Sequence, residues 1–315
     1  MLVKSKSMLT EECEMNKYLI AKGIDVVETD LGERILQLMN LKPAHIVVPA
    51  AHITRDEVGE LFEKDGISKD IGNHDPTYLT QCARYSLRQE FIEADAGMTG
   101  CNFGVASTGD CVVCTNEGNA DMSTSIPKLH IVSMGIDKVI PNYDALAVFQ
   151  RLLARSATGQ PSVSFTSQFR KARPGAEMHV ILVDNGRSNI IADQLHWRTA
   201  KCIRCGACMN TCPVYRRSMG YSYNYFIPGP IGINLGMVHN PKKHSGNVSA
   251  CSLCLSCDLV CPVKVAPGSQ IYYWRQALEG FGTENKEKKY MSVAMTELYQ
   301  HPAIYIHHFL WDNIS

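Results

Sequence analysis

A cysteine run that occurs twice constrains this chain more than any other feature of its sequence. Each copy has cysteines separated by two, two and three residues and ends in a proline: Cys202, Cys205, Cys208, Cys212 and Pro213, then Cys251, Cys254, Cys257, Cys261 and Pro262. Thiolates are soft ligands that suit iron–sulfur clusters, and this spacing is typical of [4Fe–4S] binding. The chain must therefore fold so that it encloses two clusters.

The ligands are expected to be shared between the two runs. In two-cluster ferredoxins the fourth cysteine of each run ligates the other cluster. We therefore assign the first cluster to Cys202, Cys205, Cys208 and Cys261, and the second to Cys251, Cys254, Cys257 and Cys212. Zinc is the alternative, but structural zinc sites use two pairs of ligands and need neither a third cysteine at the same step nor a following proline.

Length and charge limit the class of protein. A chain of 315 residues is long enough for about two domains. Lys plus Arg and Asp plus Glu both number 31, which argues against nucleic acid as the main partner because such proteins need a basic excess. No apolar run approaches the ~18 residues of a membrane span, and no secretory leader is visible. Together with free thiols, this predicts a cytoplasmic protein.

Residues 1–195 are predicted to form an α/β domain, because apolar runs alternate with helical patterns. Strands are expected at 24–27, 46–48, 129–133 and 178–183, and glycines between 97 and 118 indicate tightly turned strands. Asp30 with Glu33 and Thr54 with Glu57 have the spacing of helix caps. Asn142 is expected to cap a helix over 143–155, and another helix is expected over 79–94.

Residues 196–315 are predicted to form a mainly helical domain that encloses the clusters. Helices are expected at about 269–279 and 284–300. Between the cysteine runs, residues 220–247 are rich in Gly, Pro, Tyr and Asn and have no clear period, which predicts loop. Without clusters, eight thiols would line an unfilled core.

Polar residues follow two of the predicted strands and form a candidate ligand loop. Asn116, Glu117 and Asn119 come directly after an apolar stretch, and Asp184 and Arg187 follow another. Open α/β sheets place ligands at the ends of their strands, although an ordinary turn would have the same composition. No Gly-x-Gly-x-x-Gly follows a strand, so a flavin or nicotinamide site of that type is not indicated.

The remaining cysteines and two histidines are expected to be structural. Cys111 and Cys114 have the spacing of a metal site, but residues three apart on a strand point to opposite faces. We interpret them as small hydrophobic residues of a sheet, and Cys13, Cys82 and Cys101 likewise. His130 and His179 lie within predicted strands and are expected to be core residues.

Basic residues surround the cysteine runs. An all-thiolate [4Fe–4S] cluster is a net anion, and nearby positive charge raises its reduction potential. We expect one or two of these side chains to act in this way and the others to be solvated; the set is Lys201, Arg204, Arg216, Arg217, Lys242, Lys243 and Lys264.

Several short motifs, taken together, resemble the lactate utilisation protein B family, which has a LUD domain followed by a ferredoxin-type double-cluster segment. The motifs are ETDLGE at 28–33, AGMTGCN at 96–102, TNEGN at 115–119, ARSATG at 154–159, VDNGR at 183–187, CIRCGAC at 202–208 and PGPIG at 228–232. Members of that family usually carry a further N-terminal segment. The resemblance therefore implies that the α/β domain of this chain is incomplete at its N-terminal side.

The resemblance implies a fold and a function. The LUD domain would have a sugar-phosphate-isomerase/CoA-transferase-like fold, and the second domain would resemble the α-helical ferredoxin of succinate dehydrogenase iron–sulfur subunits. The protein would be an electron-transfer subunit of an L-lactate oxidation system rather than a complete enzyme. Its partners would be a cysteine-rich, heterodisulfide-reductase-like subunit and a second LUD-domain protein, with any membrane contact made through them. The alternative is a LUD-domain protein that binds a phosphorylated or CoA-linked small molecule and has accessory clusters.

Overall fold

The structure, a computed structural model, describes residues 1–281 and 286–301. Its strands are β1 Leu2–Lys4, β2 Val26–Glu28, β3 Ala96–Thr99, β4 Phe103–Val105, β5 Asp110–Thr115, β6 Leu129–Gly135, β7 Val139–Ile140, β8 Phe165–Phe169 and β9 Glu177–Val183. The helices that precede the cysteine runs are α1 Met8–Glu12, α2 Met15–Ala21, α3 Leu31–Met39, α4 Arg55–Lys64, α5 Pro76–Glu93, α6 Asn119–Ser125, α7 Tyr143–Thr158 and α8 Arg187–Ala192. The later helices are α9 Ala207–Thr211, α10 Pro213–Ser218, α11 Gly229–His239, α12 Pro241–Ala250, α13 Ser256–Val260, α14 Pro267–Ala277 and α15 Lys286–Gln300.

Five strands form a parallel sheet in the order β2-β1-β3-β6-β9. Strand β1 pairs with both of its neighbours, with Val3 opposite Val27 of β2 on one side and Gly97 of β3 on the other. Strands that run parallel need crossover segments, and here helices lie between them in the sequence. The predicted α/β class is therefore confirmed. All five strands end at one edge, which is where such sheets bind ligands.

A second sheet has the order β7-β4-β5-β8. Strands β4 and β5 form an antiparallel hairpin with Phe103 opposite Val112. Its turn contains Gly109 at φ 77°, a backbone conformation that glycine adopts without steric cost. The glycine-rich stretch thus forms the tightly turned strands that its sequence predicts. The structure also confirms strands at 129–133 and 178–183, each one or two residues longer.

The predicted helix caps are present. The Asp30 carboxylate accepts a hydrogen bond from the Glu33 backbone N–H at 3.1 Å. Thr54 and Glu57 form a complete capping box at the start of α4. These caps satisfy backbone donors that would otherwise have no partner within the helix. Short sequence patterns therefore correctly mark where α3 and α4 begin.

Replacing Asn142 by alanine is expected to destabilise the protein by about 1 kcal/mol. The Asn142 side chain caps α7 by accepting a hydrogen bond from the Ala145 backbone N–H at 3.1 Å. Alanine would leave that donor without a protein partner. The measurement is the midpoint of denaturant unfolding, with Asn142→Asp as the control because aspartate retains the acceptor. Equal stability of the alanine and aspartate variants would contradict this role.

The prediction of a strand at 46–48 is wrong. These residues lie in a bend between Pro43 and Pro49. Ile46 is only 4% exposed and packs in a core that is built mostly from residues of the cysteine-rich part. The Tyr215 hydroxyl donates to the Ala44 carbonyl oxygen at 2.6 Å. The apolar character of this run therefore reflects long-range packing rather than strand pairing.

The prediction of loop across 220–247 is also wrong, because α11 and most of α12 lie there. Residues Gly229–Met237 of α11 are all buried. A helix that is buried on every side has no polar face and hence no amphipathic period. The helices predicted after Pro267 are confirmed as α14 and α15. The predicted start of the second one, at 284, lies outside the described residues.

The two strand histidines differ. His130 is 6% exposed and its Nε2 lies 2.9 Å from the Thr99 hydroxyl, so its prediction as a core residue is confirmed. Burial lowers its pKa to about 4. The same prediction is wrong for His179, whose side chain is 61% exposed. The reason is that β9 lies at the edge of its sheet.

The first cysteine run packs directly against the α/β part of the chain. Ile203 and Cys205 share a core with Phe103 and Val105 of β4 and Leu146 of α7. The two units on either side of the predicted boundary at 195/196 thus bury each other's apolar surface. The position of that boundary stays a prediction. Along 1–281 and 286–301, no helix combines the length and apolarity needed to cross a membrane.

Candidate metal centre and the cavity beside it

The sequence repeat is also a repeat of backbone structure. Arg204 and Leu253 each follow the first cysteine of their run by two residues, and both have left-handed backbone, with φ of 61° and 54°. Gly206 and Leu255, two residues further on, are left-handed as well, at 79° and 59°. Such a conformation is costly for residues other than glycine and persists where the surroundings require it. Each loop is thereby wrapped tightly before its short helix, α9 or α13.

Backbone N–H groups point at several of the sulfur atoms. Arg204 donates to Cys202 Sγ and Leu253 to Cys251 Sγ, each at 3.4 Å. Val265 donates to Cys261 Sγ at 3.2 Å. Hydrogen bonds to sulfur stabilise the thiolate and tune a cluster that it ligates. The left-handed turns therefore present donors to the thiols.

The thiols of the first run lie close to the last thiol of the second. Burial, together with the charges of Cys202 and Cys261, raises the pKa of Cys205 to about 11. Burial likewise raises the pKa of Cys208, with Cys202 and Cys205 adding to the effect. Cys202, Cys205, Cys208 and Cys261 thus form one neighbourhood.

The remaining four thiols form a second neighbourhood. Burial raises the pKa of Cys251, and the charges of Cys212 and Cys254 add to it. Burial and then the Asp258 carboxylate raise the pKa of Cys257. The charges of Cys251 and Cys212 raise this pKa as well. The charge of Cys257 also raises the pKa of Cys208 in the first neighbourhood. The two neighbourhoods therefore adjoin each other through these two thiols.

These residues fit [4Fe–4S] clusters. Closely placed thiols resist deprotonation because the resulting thiolates would repel each other. Iron supplies the positive charge that holds them as thiolates. In the part of the chain that the structure describes, no three His, Cys, Asp or Glu side chains converge tightly enough for a single metal ion. A cubane instead spreads its four thiolates around a larger body. The donor set, soft and in fours, suits that geometry.

The two neighbourhoods differ in exposure. Cys205 and Cys261 are both 8% exposed, whereas Cys254 is exposed. Leu259, on the helix that follows Cys254, is 80% exposed. The first neighbourhood is enclosed between the α/β part and the helices. The second reaches the surface at an apolar patch formed by Leu255, Leu259 and Val260.

Arg204 is the basic residue of the sequence-predicted set that approaches a cysteine. Its guanidinium interacts with Cys202, and its side chain is 13% exposed, whereas the other six residues are exposed. Lys138, which sequence reasoning missed, donates from Nζ to the Cys202 carbonyl oxygen at 2.7 Å. Lys138 lies between β6 and β7, 64 residues before Cys202 in the sequence, so no local pattern indicates its position.

The second neighbourhood has a different charge beside it. Cys257 Sγ lies 3.6 Å from Asp258 Oδ1. The same carboxylate accepts a hydrogen bond from the Ser269 backbone N–H at 3.0 Å, which fixes its position. Arg275 donates to the Cys251 carbonyl oxygen and partly offsets this negative charge. A carboxylate thus lies beside the second thiol group, and two largely buried cations, Arg204 and Lys138, lie beside the first.

Removing these charges is expected to shift the cluster potentials in opposite directions. Arg204→Gln should lower the potential of the first cluster, and Asp258→Asn should raise that of the second. Shifts on the order of 60 mV are expected, because about 1.4 kcal/mol corresponds to 59 mV for a one-electron couple. The measurement is an EPR-monitored redox titration. Arg217→Gln, which changes an exposed residue of α10, is the control, and equal potentials in all three variants would contradict the assignment.

A cavity of about 550 Å³ lies at the carboxyl ends of the parallel strands. Lys6, Asp30, Gly100 and Ser133 line it from the ends of β1, β2, β3 and β6. Ile203 and Arg204 of the first cysteine run line it as well. The cavity therefore separates the sheet edge from the first thiol group. Its volume is in the range of small-molecule sites.

The candidate ligand residues are only partly brought together. Asn116, Glu117, Asn119 and Arg187 all line this cavity. Burial, and then Asp30, raise the pKa of Glu117 to about 7. Asp184 does not line it; its Oδ1 accepts a hydrogen bond from the Ser188 backbone N–H at 2.8 Å, so it caps α8 instead.

Arg187 has a structural role that its sequence position does not indicate. Its Nη2 lies 2.7 Å from Glu12 Oε2 and its Nε lies 2.8 Å from Asp137 Oδ1. Although burial opposes ionisation of Asp137, Lys138, Arg204 and Arg187 hold its pKa well below the usual range. Arg187 thus joins α1 to the residues beside Cys202.

The other cysteines match their structural interpretation in part. Cys111 and Cys114 lie on β5 as predicted, and Cys111 is 3% exposed. Cys101 donates from Sγ to the Phe103 carbonyl oxygen at 3.1 Å. Cys82 lies on α5 rather than in a sheet. The prediction is wrong for Cys13, which is exposed at the end of α1.

Two family models match the chain. The LUD domain matches residues 2–184, and the 4Fe-4S dicluster domain matches residues 198–265. The second match covers both cysteine runs. The chain therefore binds two [4Fe–4S] clusters. No solved structure is significantly similar.

Curated relatives share much of the sequence. "Lactate utilization protein B" of Bacillus pumilus (strain SAFR-032) is 44% identical over 285 residues, which are 88% of this chain and 59% of the relative. "Uncharacterized electron transport protein YkgF" of Escherichia coli (strain K12) is 39% identical over 312 residues, 96% of this chain and 65% of the relative. "Lactate utilization protein B" of Shouchella clausii (strain KSM-K16) is 43% identical, with 84% and 57% covered. The chain spans about six-tenths of the length of these relatives.

Proposed function

Because the chain belongs to the LUD domain family and continues into a 4Fe-4S dicluster segment, we propose that it is an electron-transfer subunit of an L-lactate oxidation system. Oxidising L-lactate to pyruvate releases two electrons and two protons. When bound, the clusters supply one-electron redox chemistry. The printed names of the relatives, lactate utilization and electron transport, support this substrate and this role.

The observation that carries the proposal is the arrangement of the two thiol neighbourhoods. One is enclosed beside the cavity, and the other reaches the surface at Cys254. They adjoin through Cys208 and Cys257. A chain that carries electrons between an interior donor and an exterior acceptor needs one buried end and one exposed end, and this arrangement has both.

Crossed ligation is part of the proposal. Cys202, Cys205, Cys208 and Cys261 would hold the first cluster, and Cys251, Cys254, Cys257 and Cys212 the second. The electrostatic effects between the runs support this sharing. Cys261 of the second run raises the pKa of Cys205 in the first, and Cys212 of the first run raises the pKa of Cys251 in the second. Cys261 would tie the second run to the first, so that both runs depend on both clusters.

The partners are proposed to be a cysteine-rich, heterodisulfide-reductase-like subunit and a second LUD-domain protein. The exposed apolar patch of Leu255, Leu259 and Val260 beside Cys254 is a suitable docking surface, because apolar residues of this kind are covered in complexes. We place the protein in the cytoplasm, since thiols and clusters persist in a reducing compartment. Any membrane contact would be made by the partners.

The test is reduction of the clusters by substrate. The chain and both partners are purified anaerobically, mixed and given L-lactate, and bleaching of the cluster absorbance and the EPR signal are followed. Reduction that requires both partners and L-lactate is expected, with D-lactate as the control. If the complete mixture leaves the clusters oxidised and forms no pyruvate with an artificial acceptor, the substrate assignment is wrong.

A second candidate function would use the same cavity. In that case the LUD part binds a phosphorylated or CoA-linked small molecule, and the clusters are accessory. Asn116, Glu117 and Asn119 line the cavity as this alternative requires. Glu117→Ala should then abolish binding of that ligand while leaving the iron content unchanged. An unchanged affinity would remove this candidate.

A further inference from the structure

The cavity between the parallel sheet and the first cysteine run has the features of a ligand site of a particular charge. It occupies the edge where the carboxyl ends of β1, β2, β3 and β6 meet, the position at which open α/β sheets bind ligands. Its volume of about 550 Å³ is sufficient for a small organic molecule. It is distinct from the cluster ligands, because the cysteines that line it, Cys101 and Cys114, belong to neither run.

Three of the cations that line the cavity already have carboxylate partners. Lys138 lies 3.2 Å from Asp137, Arg187 is bound by Glu12 and Asp137, and Arg204 lies 4.0 Å from Asp137. Two carboxylates, Glu12 and the shared Asp137, thus offset two of these three positive charges. The net charge that remains on this group suits a singly charged ligand better than a multiply charged one.

Lys6 differs from these three. Its Nζ donates to the Val47 carbonyl oxygen at 2.6 Å, and no described carboxylate lies within salt-bridge distance of it. An ammonium group has three donors, so Nζ retains capacity for a ligand. Burial lowers the pKa of Lys6, while Asp30, Glu33 and Glu117 act against this from a greater distance. A single anionic group at Nζ would satisfy its donors and offset its charge.

Two further groups favour a hydroxyl on the ligand. Ser5 is 2% exposed, lines the cavity, and its Oγ has no hydrogen-bond partner among the described residues. A buried polar atom without a partner is costly. Glu117 also lines the cavity and can accept from a hydroxyl when ionised. Its carboxylate and that of Asp30 repel a second negative charge near Lys6.

We propose that this cavity binds a monoanionic hydroxycarboxylate, whose carboxylate is held by Lys6 and whose hydroxyl meets Ser5 and Glu117. Such a ligand would lie on the same cavity surface as Ile203 and Arg204, between the first two cysteines of the first run. L-lactate has this chemistry, so the inference rests on the proposed function and gives it a location. Phosphorylated and CoA-linked molecules carry more negative charge than this lining favours.

The experiment measures binding without turnover. The anaerobically purified, cluster-loaded protein is kept oxidised and titrated calorimetrically with L-lactate, with inorganic phosphate and with coenzyme A. L-lactate is expected to bind. Lys6→Met should weaken L-lactate binding at least tenfold, because a charge-assisted hydrogen bond to the ligand is lost. Lys69→Met, which removes an exposed lysine outside the cavity, should leave the affinity unchanged.

Two more variants keep the inference testable if Lys6→Met folds poorly. Lys6→Arg retains the positive charge and should recover most of the affinity. Glu117→Gln preserves the shape of the side chain and should weaken the binding of L-lactate severalfold at constant iron content. Absence of L-lactate binding, equal affinity in Lys6→Met and Lys69→Met, or binding of phosphate or coenzyme A alone would each overturn the inference.

The failure of this inference and the failure of the proposed function give different results. If Lys6→Met abolishes L-lactate binding but the three-protein system never reduces the clusters, the site stands and the electron-transfer function is wrong. If L-lactate reduces the clusters equally in Lys6→Met and the unaltered protein, the function stands and the site is wrong.

Discussion

Replacing Cys261 by alanine is expected to remove one cluster, the same one that is lost when Cys202 is replaced. The iron content should fall from about eight to about four per chain, since each [4Fe–4S] cluster needs four thiolates. Cys261 is 8% exposed, and its charge raises the pKa of Cys205 in the other run. Crossed ligation therefore predicts that a residue of the second run controls the cluster of the first.

Double variants decide between crossed and uncrossed ligation. If Cys261 and Cys202 serve one cluster, the double variant Cys202→Ala/Cys261→Ala should retain about four irons, like either single variant. The double variant Cys251→Ala/Cys261→Ala should lose both clusters. Uncrossed ligation predicts the reverse for the two pairs. Iron and sulfide counts together with EPR of the dithionite-reduced proteins give the readout.

The control for these variants is Cys114→Ala. Cys114 lies on β5 and belongs to neither run, so its replacement should leave about eight irons. A control that loses iron would indicate general instability rather than ligand loss. Retention of eight irons by Cys261→Ala would contradict the ligand assignment itself.

Replacing Arg187 by methionine is expected to destabilise the protein by about 3–5 kcal/mol. The side chain is 7% exposed, and its partners Glu12 and Asp137 are 9% and 3% exposed. Methionine fills much of the same space but leaves two buried carboxylates without their shared cation. Removing one partner of a buried ion pair costs more than the pair contributes, because the remaining charge stays desolvated.

The measurement is anaerobic denaturant unfolding of the cluster-loaded protein. Lys17→Met is the control, because Lys17 and Glu14 form a pair whose side chains are 73% and 70% exposed. It is expected to leave the unfolding midpoint almost unchanged, as solvent screens exposed pairs. Equal midpoints for Arg187→Met and Lys17→Met would show that the buried network does not hold α1 against the residues beside Cys202.

Local patterns in the sequence were sufficient for much of the fold. Capping at Asp30, Thr54 and Asn142 depends on atoms three residues apart, and such distances are set by helix geometry alone. The strands at β6 and β9 follow from β-branched and apolar runs. The run at 46–48 and helix α11 were misassigned, because their apolar character comes from contacts with distant parts of the chain.

The candidate site likewise has parts that the sequence predicts and parts that only the tertiary structure shows. The spacing within each run places three cysteines on one tight loop, so the sequence alone identified the metal-binding segments, which the dicluster match confirms. It also placed Glu117 at the end of a strand, and the cavity includes it. It gave no indication of Lys138, which reaches Cys202 across 64 residues, or of Lys6, whose position depends on strand order.

By itself, then, the sequence determined where the clusters bind and which local elements form, since both depend on spacings of a few residues that the backbone geometry fixes. Tertiary structure decided what surrounds the clusters. Arg187 became an ion-pair residue because folding brings Glu12 to it across 175 residues, and the order of the parallel strands placed Lys6 in a cavity beside Arg204. Charge, burial and access at the site arise from such long-range contacts, which no short-range periodicity records.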